Sequence, residues 1–251
     1  MSELDADPTP TGDADEVRRA FVSAVSHDLR GRIGTILGFA ELLSDQNADL
    51  SEEARREFAG EIVSSARRTL RLLSNLHDLD RVSRGEVRLH RETTDVGALA
   101  TRVATEVGAI FHRDVEVDAA AVAADVDHVL VERILENLVT NAMKFTRAGT
   151  RVQVRAAANG DGVLLVVEDE GAGVPAEERE AVFERFRRGS QTSTTAPGSG
   201  IGLYLVRCFA ELHGGRAWVE GRPEGGACFR VSLPAALALP VDRPREGDRR
   251  P

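Results

Sequence analysis

Asn137, Asn141 and Lys144 stand at i, i+4 and i+7, and a helix advancing about 100° per residue brings them within roughly 60° of one another. Amide oxygens are ligands that Mg²⁺ accepts, and a compact ammonium suits phosphate. Lys144 is the single lysine in a chain that otherwise uses 31 arginines. Val131, Leu135, Leu138, Ala142 and Phe145 fall about 80–160° away on the same wheel, which gives a helix with a buried flank beside a polar stripe. Read alone, the segment fits a solvated amphipathic helix in an arginine-biased chain equally well.

Two downstream segments add chemistry to it. The apolar run Val163 to Val167 reads as a buried strand and leads into Glu168-Asp169-Glu170-Gly171-Ala172-Gly173, which puts a carboxylate at a strand end where closely spaced glycines let backbone approach a ligand. Gly198-Ser199-Gly200-Ile201-Gly202-Leu203 then opens an apolar-periodic helix running to Leu212, and exposed N–H groups at such a start, with the positive end of the helix dipole, suit phosphate. A dinucleotide fold would want its glycines after the first strand and an acidic residue about 20 positions on, and that context is missing.

Taken in order, these segments closely resemble the catalytic ATP-binding domain shared by histidine kinases, gyrase, Hsp90 and MutL, over about 145 residues. Asn137, Asn141 and Lys144 match its N box, Asp169, Gly171 and Gly173 its first glycine box, Phe183 and Phe186 its F box, and Gly198, Gly200 and Gly202, followed by Leu203, its second glycine box. His213-Gly214-Gly215, then Trp218 to Glu220 and Cys228 to Pro234, resemble the turn and final strand pair of the histidine-kinase branch, which makes His213 a turn residue rather than a ligand. Upstream, His27-Asp28-Leu29-Arg30 resembles that branch's H box. Val22, Val25, Leu29, Ile33, Ile36, Ala40 and Leu43 form a stripe about 80° wide with His27 some 140–180° away, so His27 is expected to face solvent.

The elements that position these residues follow. A second helix begins after the N-cap residue Ser51 and continues to about Arg84, carrying Phe58, Ile62, Ala66, Leu70, Leu73, Leu76 and Leu79 at helical spacing, and the short link from Ser44 to Leu50 makes the pair an antiparallel hairpin. Two helices cannot bury such stripes alone, and two hairpins can. The expected fold is an α-helical hairpin, forming a four-helix bundle as a homodimer, followed by an α/β two-layer sandwich. The expected organisation is an acidic disordered tail over 1–16, a dimerisation and phosphoacceptor hairpin over 17–84, the ATP-binding domain over 85–236 and a disordered tail over 237–251.

The resemblance implies a protein-histidine kinase. Asp169 would accept the adenine amino group of ATP; Asn141, with Asn137, would hold Mg²⁺; Lys144 and the helix start after Gly200 would offset phosphate charge; Arg188 would reach the γ-phosphate; and Ser190 to Pro197 would act as a lid. His27 would take the phosphoryl group, with Asp28 orienting the ring or accepting its proton, and an aspartate on a separate response-regulator receiver domain would receive it next. A phosphotransfer adaptor without ATP turnover would have degenerate nucleotide boxes, and an anti-sigma-type serine kinase would lack the H-box hairpin.

Composition sets outer bounds. The net charge of −9 argues against general nucleic-acid binding, although six of the negative charges lie in residues 1–16. Cys208 and Cys228 sit in apolar segments and read as small buried hydrophobes. No apolar run approaches the roughly 18–20 residues that span a bilayer and no signal peptide is evident, which points to the cytoplasm. Only some 16 residues precede the first helix, too few for a sensor domain, so a separate sensor protein, the tail or a missing segment would supply the input. One departure stands out: the family pattern places Thr or Asn and then Pro after the arginine of the H box, and this chain has Gly31 and Arg32. With Gly34 and Gly38, Gly31 lies on the His27 side of the helix, where it is expected either to admit a close partner or to let the helix bend.

Overall fold

The computed structural model describes residues 11–45, 49–187 and 200–236, with side chains from residue 23 onward except residue 24. Helix α1 (Thr11–Ser44) and helix α2 (Glu52–Ser83) form the hairpin. Ser51 caps α2 by accepting the Ala54 N–H, with Glu52 and Glu53 in the first turn where the helix dipole favours carboxylates. Phe39 of α1 packs on Phe58 of α2 with ring centroids 5.0 Å apart, and the Ser65 hydroxyl donates to the Arg32 carbonyl at 3.0 Å, so the two helices are joined by both apolar and polar contacts. Helix α1 begins at Thr11, inside the segment expected to be an acidic tail. The rest of that tail and the 237–251 tail lie outside the described residues.

Strand β1 (Glu92–Asp95) pairs with β3 (Ala123–Val126) as a small antiparallel ribbon. A five-stranded sheet follows, in the order β2 (Glu116–Ala119), β4 (Val152–Asn159), β5 (Gly162–Asp169), β7 (Ala227–Pro234) and β6 (Arg216–Gly221), with only the β2/β4 pair parallel. Alternation sets its two faces. Val152, Val154 and Ala156 of β4 and Val163, Leu165 and Val167 of β5 enter the core, while Arg155 pairs with Glu168 and Arg230 with Glu220 toward solvent. Helices α3 (Val96–Phe111), α4 (His128–Phe145) and α5 (Gly202–Leu212) form the other layer, and their buried residues join those strands in one core. Among the described residues, no helix is long and apolar enough to cross a membrane.

Helix α4 is fastened at both ends. Asp127 caps its start by accepting the Leu130 N–H at 3.1 Å, and its second oxygen accepts the His90 N–H at 2.9 Å. The Asp127 N–H donates to Nε2 of His213, while Nδ1 of that ring lies 2.8 Å from the Phe209 carbonyl. Nδ1 therefore carries the proton, and burial pushes the imidazole below its usual pKa. His213 is a buried structural residue ending α5, as expected of a turn position. At the other end of α4, the Arg113 guanidinium donates to the Met143 and Thr146 carbonyls, groups that a helix C-terminus leaves without partners.

Gly34 and Gly38 lie within the unbroken helix α1, and a Cβ at either would meet nothing within 4 Å. The ATP domain therefore does not press on them in this arrangement. Gly34→Ala and Gly38→Ala are each expected to raise stability by about 0.5–1 kcal/mol through helix propensity alone, seen as a higher denaturant midpoint. A loss of stability in both would mean that another chain uses the space.

Candidate functional site

The buried flank of α4 determines where its polar flank points. Val131, Ile134, Leu135, Leu138 and Val139 have zero exposure, which leaves Asn137, Thr140, Asn141 and Lys144 toward a cavity of about 210 Å³. The cavity is closed from below by Asp169 at the end of β5, on one side by Gly173 and Val174, and on another by Gly200, Gly202 and Leu203 at the start of α5. Its remaining wall is the hairpin, through Asp28 and Arg32 of α1 and Arg68, Arg71, Leu72 and Asn75 of α2. Of the expected nucleotide residues, Asn137, Asn141, Lys144, Asp169, Gly173, Gly200, Gly202 and Leu203 line one space and Gly171 does not, and the residue beside His27 shares it.

Asp169 is 4% exposed and accepts the Gly171 N–H at 2.8 Å. Burial raises its carboxyl above the ordinary aspartate range, opposed by the backbone N–H groups of Gly171 and Ala227 and by Arg222. Gly173 holds φ of 77°, a left-handed conformation that a side chain resists, and a Cβ there would stand 2.9 Å from the Gly226 carbonyl oxygen. At Gly202, a Cβ would stand 2.8 Å from Oδ1 of Asn137, so only glycine lets the start of α5 lie against the N-box amide. Phe183 is buried edge-on to Phe229, and Phe186 packs against the core, so the F box serves as a foundation. Arg188, Gly198 and the expected lid from Ser190 to Pro197 lie outside the described residues.

The N box is divided in its engagement. Asn141 faces the cavity and its side chain makes no hydrogen bond among the described residues. Asn137 donates to the Arg133 carbonyl at 2.9 Å, and its Oδ1 accepts from Nδ2 of Asn75 on α2 at 3.0 Å. Mg²⁺ is commonly held by one or two protein oxygens together with substrate phosphates, and no group of three or more His, Cys, Asp or Glu that could hold a metal occurs among the described residues. Two amide oxygens on one face fit such a partial shell. Of these, the Asn137 oxygen already accepts from Asn75.

Lys144 is pushed down to about 8, first by burial and then by Arg32, Arg71 and Arg68, with Asp28 opposing them. His27 is exposed on α1, as expected from the helical wheel. Asp28 does not turn freely toward it: both oxygens accept from Arg32, at 3.0 Å from Nε and 2.9 Å from Nη2. Arg32 occupies the position where the resembling family carries proline, and the i, i+4 spacing would have allowed this pair to be anticipated. Gly31 is exposed, its carbonyl accepts from the Thr35 hydroxyl at 3.1 Å, and the space above it is open.

Arg71, Asn75 and Thr140 are site residues that the sequence reading missed. Arg71 and Asn75 are one turn apart on α2, and Thr140 lies between Asn137 and Lys144 on the cavity-facing flank of α4, a polar position that the helical wheel could have indicated. Their partnerships, Arg71 Nη1 to Thr140 Oγ1 at 2.8 Å and Asn75 to Asn137, join residues more than 60 positions apart.

Comparison with known proteins agrees with this geometry. Residues 17–85 match the His Kinase A (phospho-acceptor) domain, and residues 126–237 match the histidine kinase-, DNA gyrase B-, and HSP90-like ATPase. The sensor protein KdpD of Escherichia coli (strain K12) is 35% identical over 227 residues, covering 89% of this chain, which spans 25% of that protein. The structure of a mycobacterial sensor histidine kinase, MprB, superposes with a TM-score of 0.53 at 30% identity, over 59% of this chain and 100% of that one. Full-length ShkA, solved with AMPPNP, gives a TM-score of 0.55 at 26% identity, over 88% of this chain and 46% of that one. With a phosphoacceptor hairpin carrying an exposed histidine, an ATPase domain facing it and these relatives, the chain belongs to the histidine kinase family.

Proposed function

We propose that this is a cytoplasmic histidine kinase that moves the γ-phosphoryl group of Mg-ATP to His27 and then to an aspartate on the receiver domain of a separate response regulator. The observation that carries the reading is the shared cavity: Asp28, next to His27, lines the same space as Asn141, Lys144 and Asp169. A ring nitrogen of neutral His27 forms the N–P bond as the bond from the γ-phosphorus to the β,γ-bridging oxygen breaks, and ADP leaves with that oxygen. The imidazole proton passes to Asp28 or to water, and Asp28 can take it once Arg32 frees an oxygen. Asp169 accepts the adenine amino group, and Lys144 faces the phosphates, with Arg188 reaching the γ-phosphate. Mg²⁺, held through Asn141 and Asn137, would neutralise charge on the phosphate oxygens. The nucleotide analogue bound by the related ShkA supports ATP as the donor.

Homodimer formation fits the hairpin surface. Leu70 and Leu73 of α2 are 64% and 59% exposed, and Ile33, Leu37 and Leu42 of α1 are also exposed. A second hairpin completing a four-helix bundle would cover such side chains, and each is worth about 1.5–3 kcal/mol when fully buried. The domain limits proposed are those read from the sequence, 17–84 for the hairpin and 85–236 for the ATP domain.

His27→Gln is expected to abolish autophosphorylation from labelled ATP while nucleotide binding persists, and Asp169→Asn to weaken nucleotide binding by about tenfold or more. Acid-labile, base-stable label on the wild type and none on His27→Gln is the expected result; equal labelling would refute the assignment.

ATP phosphates approaching Lys144 favour its charged form, so the bound state has the higher pKa. Affinity is therefore expected to be full below about pH 8 and to fall as pH rises above it, with proton uptake on binding near that pH. Lys144→Arg, which stays charged and presents a bulkier planar group, is expected to flatten this profile and to lower affinity. Isothermal titration in buffers of different ionisation enthalpy measures both.

Gly31 has no side chain to hold the water that attacks a phosphoaspartate, so decay of the phosphorylated receiver is expected to be little accelerated by this protein with ADP. Gly31→Thr has room for its side chain and is expected to accelerate the decay. Strong acceleration by the wild type would remove this role from position 31.

A further inference from the structure

Where the hairpin meets the ATP domain, positive charge is concentrated without matching counter-charge. Arg32, Arg68, Arg71 and Lys144 line one end of the cavity together, with Asp28 among them and Glu136 acting on Arg71. The Asp28 carboxylate is already held by Arg32 through two hydrogen bonds. Arg68 reaches Glu61 only at 3.6 Å, and Lys144 makes no ion pair among the described residues.

Arg71 is the most constrained member. Its Nη1 donates to Thr140 across the domain boundary at 2.8 Å, which aims the guanidinium at the flank of α4 that carries Asn141 and Lys144. Its Nη2 is fully buried and has no partner among the described residues. A buried donor without an acceptor costs roughly what a lost hydrogen bond does, and buried polar groups in folded proteins nearly always have a partner. Burial lowers the pKa of the guanidinium, and the neighbouring Arg68, Arg32 and Arg67 lower it further against Glu136. An anion in this space would supply the missing acceptor and offset the crowding.

We propose that Arg71, flanked by Arg68 and Arg32, is a positioning residue that binds the terminal phosphate of the nucleotide, so that ATP draws the helical hairpin onto the ATP domain and ADP does not. This rests on the ATP reading above and adds a ligand that no nucleotide box contains. The planar fork of an arginine matches two phosphate oxygens, and a γ-phosphate is the part of ATP that ADP lacks. The phosphate engages Arg71 Nη2 directly and competes with Asp28 for Arg32, which loosens the carboxylate beside His27 when the donor is in place. A guanidinium supplied by the acceptor domain would thereby couple donor occupancy to acceptor readiness.

The test is equilibrium binding of AMPPNP and of ADP, each with Mg²⁺, to the full chain and to Arg71→Ala, Arg71→Lys and Arg68→Ala. Arg71→Ala is expected to weaken AMPPNP by roughly tenfold or more while ADP stays within about twofold, with Arg71→Lys between it and the wild type. Arg68→Ala, which keeps the Arg71 to Thr140 hydrogen bond, is expected to lower the AMPPNP preference in the same direction and supplies the result if Arg71→Ala does not fold. Parallel weakening of both nucleotides, or unchanged affinity for both, would overturn the proposal. Failure of the ATP reading itself gives a different result: the wild type would bind neither nucleotide, or Asp169→Asn would weaken neither.

Discussion

Burial of one flank of α4 controls the geometry of everything else at the site. A helix has a fixed period, so once Ile134, Leu135 and Leu138 are sealed in the core the azimuth of every other residue on α4 is determined. Asp127 at one end and Arg113 at the other stop the helix from sliding or fraying, and both act through groups that a helix terminus would otherwise leave without partners. The cap is also a junction, because Asp127 joins the segment at His90, the start of α4 and the His213 ring that ends α5. Movement of α4 would therefore disturb the N box and the start of α5 together.

The hairpin joins this core by apolar packing of Leu79, with Leu76 and Val82 against it, and by polar contacts: Asn75 to Asn137, Arg71 to Thr140, Ser64 to the Ile110 carbonyl and a 3.6 Å approach of Arg133 to Asp78. Hydrogen bonds at a boundary exchange for water at about 0.5–1.5 kcal/mol each, far less than the cost of exposing a comparable apolar area. The polar part of this junction suits the proposed phosphoryl transfer, in which the two domains would meet and later part. It also carries information, since the amide that α2 holds is one of the two proposed for the metal.

Charge type follows the same division. Arginine serves where a planar fork clamps carbonyls or carboxylates, as at Arg113 and Arg32, and the lone lysine lines the cavity where a phosphate is proposed to bind. Its lowered pKa comes from burial and from three arginines contributed by another domain, so the electrostatics of the N box depend on hairpin docking as well as on its own helix.

Patterns with short periods were legible without coordinates. The helical stripes of α1, α2 and α4, the apolar run of β5 and the glycines flanking α5 each encode local geometry within a few residues; the hairpin and the outward-facing His27 follow from them, and the sandwich fold follows from the family resemblance that their motifs carry. Strands β1, β2 and β3 were not legible, being four residues each and largely polar or alanine-rich, with pairing that depends on partners far along the chain. Helix α1 begins at Thr11, within a segment whose acidic composition reads as a tail. What only the tertiary structure decided is which groups meet across the hairpin boundary: Asn75 on Asn137, Arg71 on Thr140, and the arginines that surround Lys144. Those contacts depend on how two separately coded domains dock, and no periodicity within either one records the position of the other.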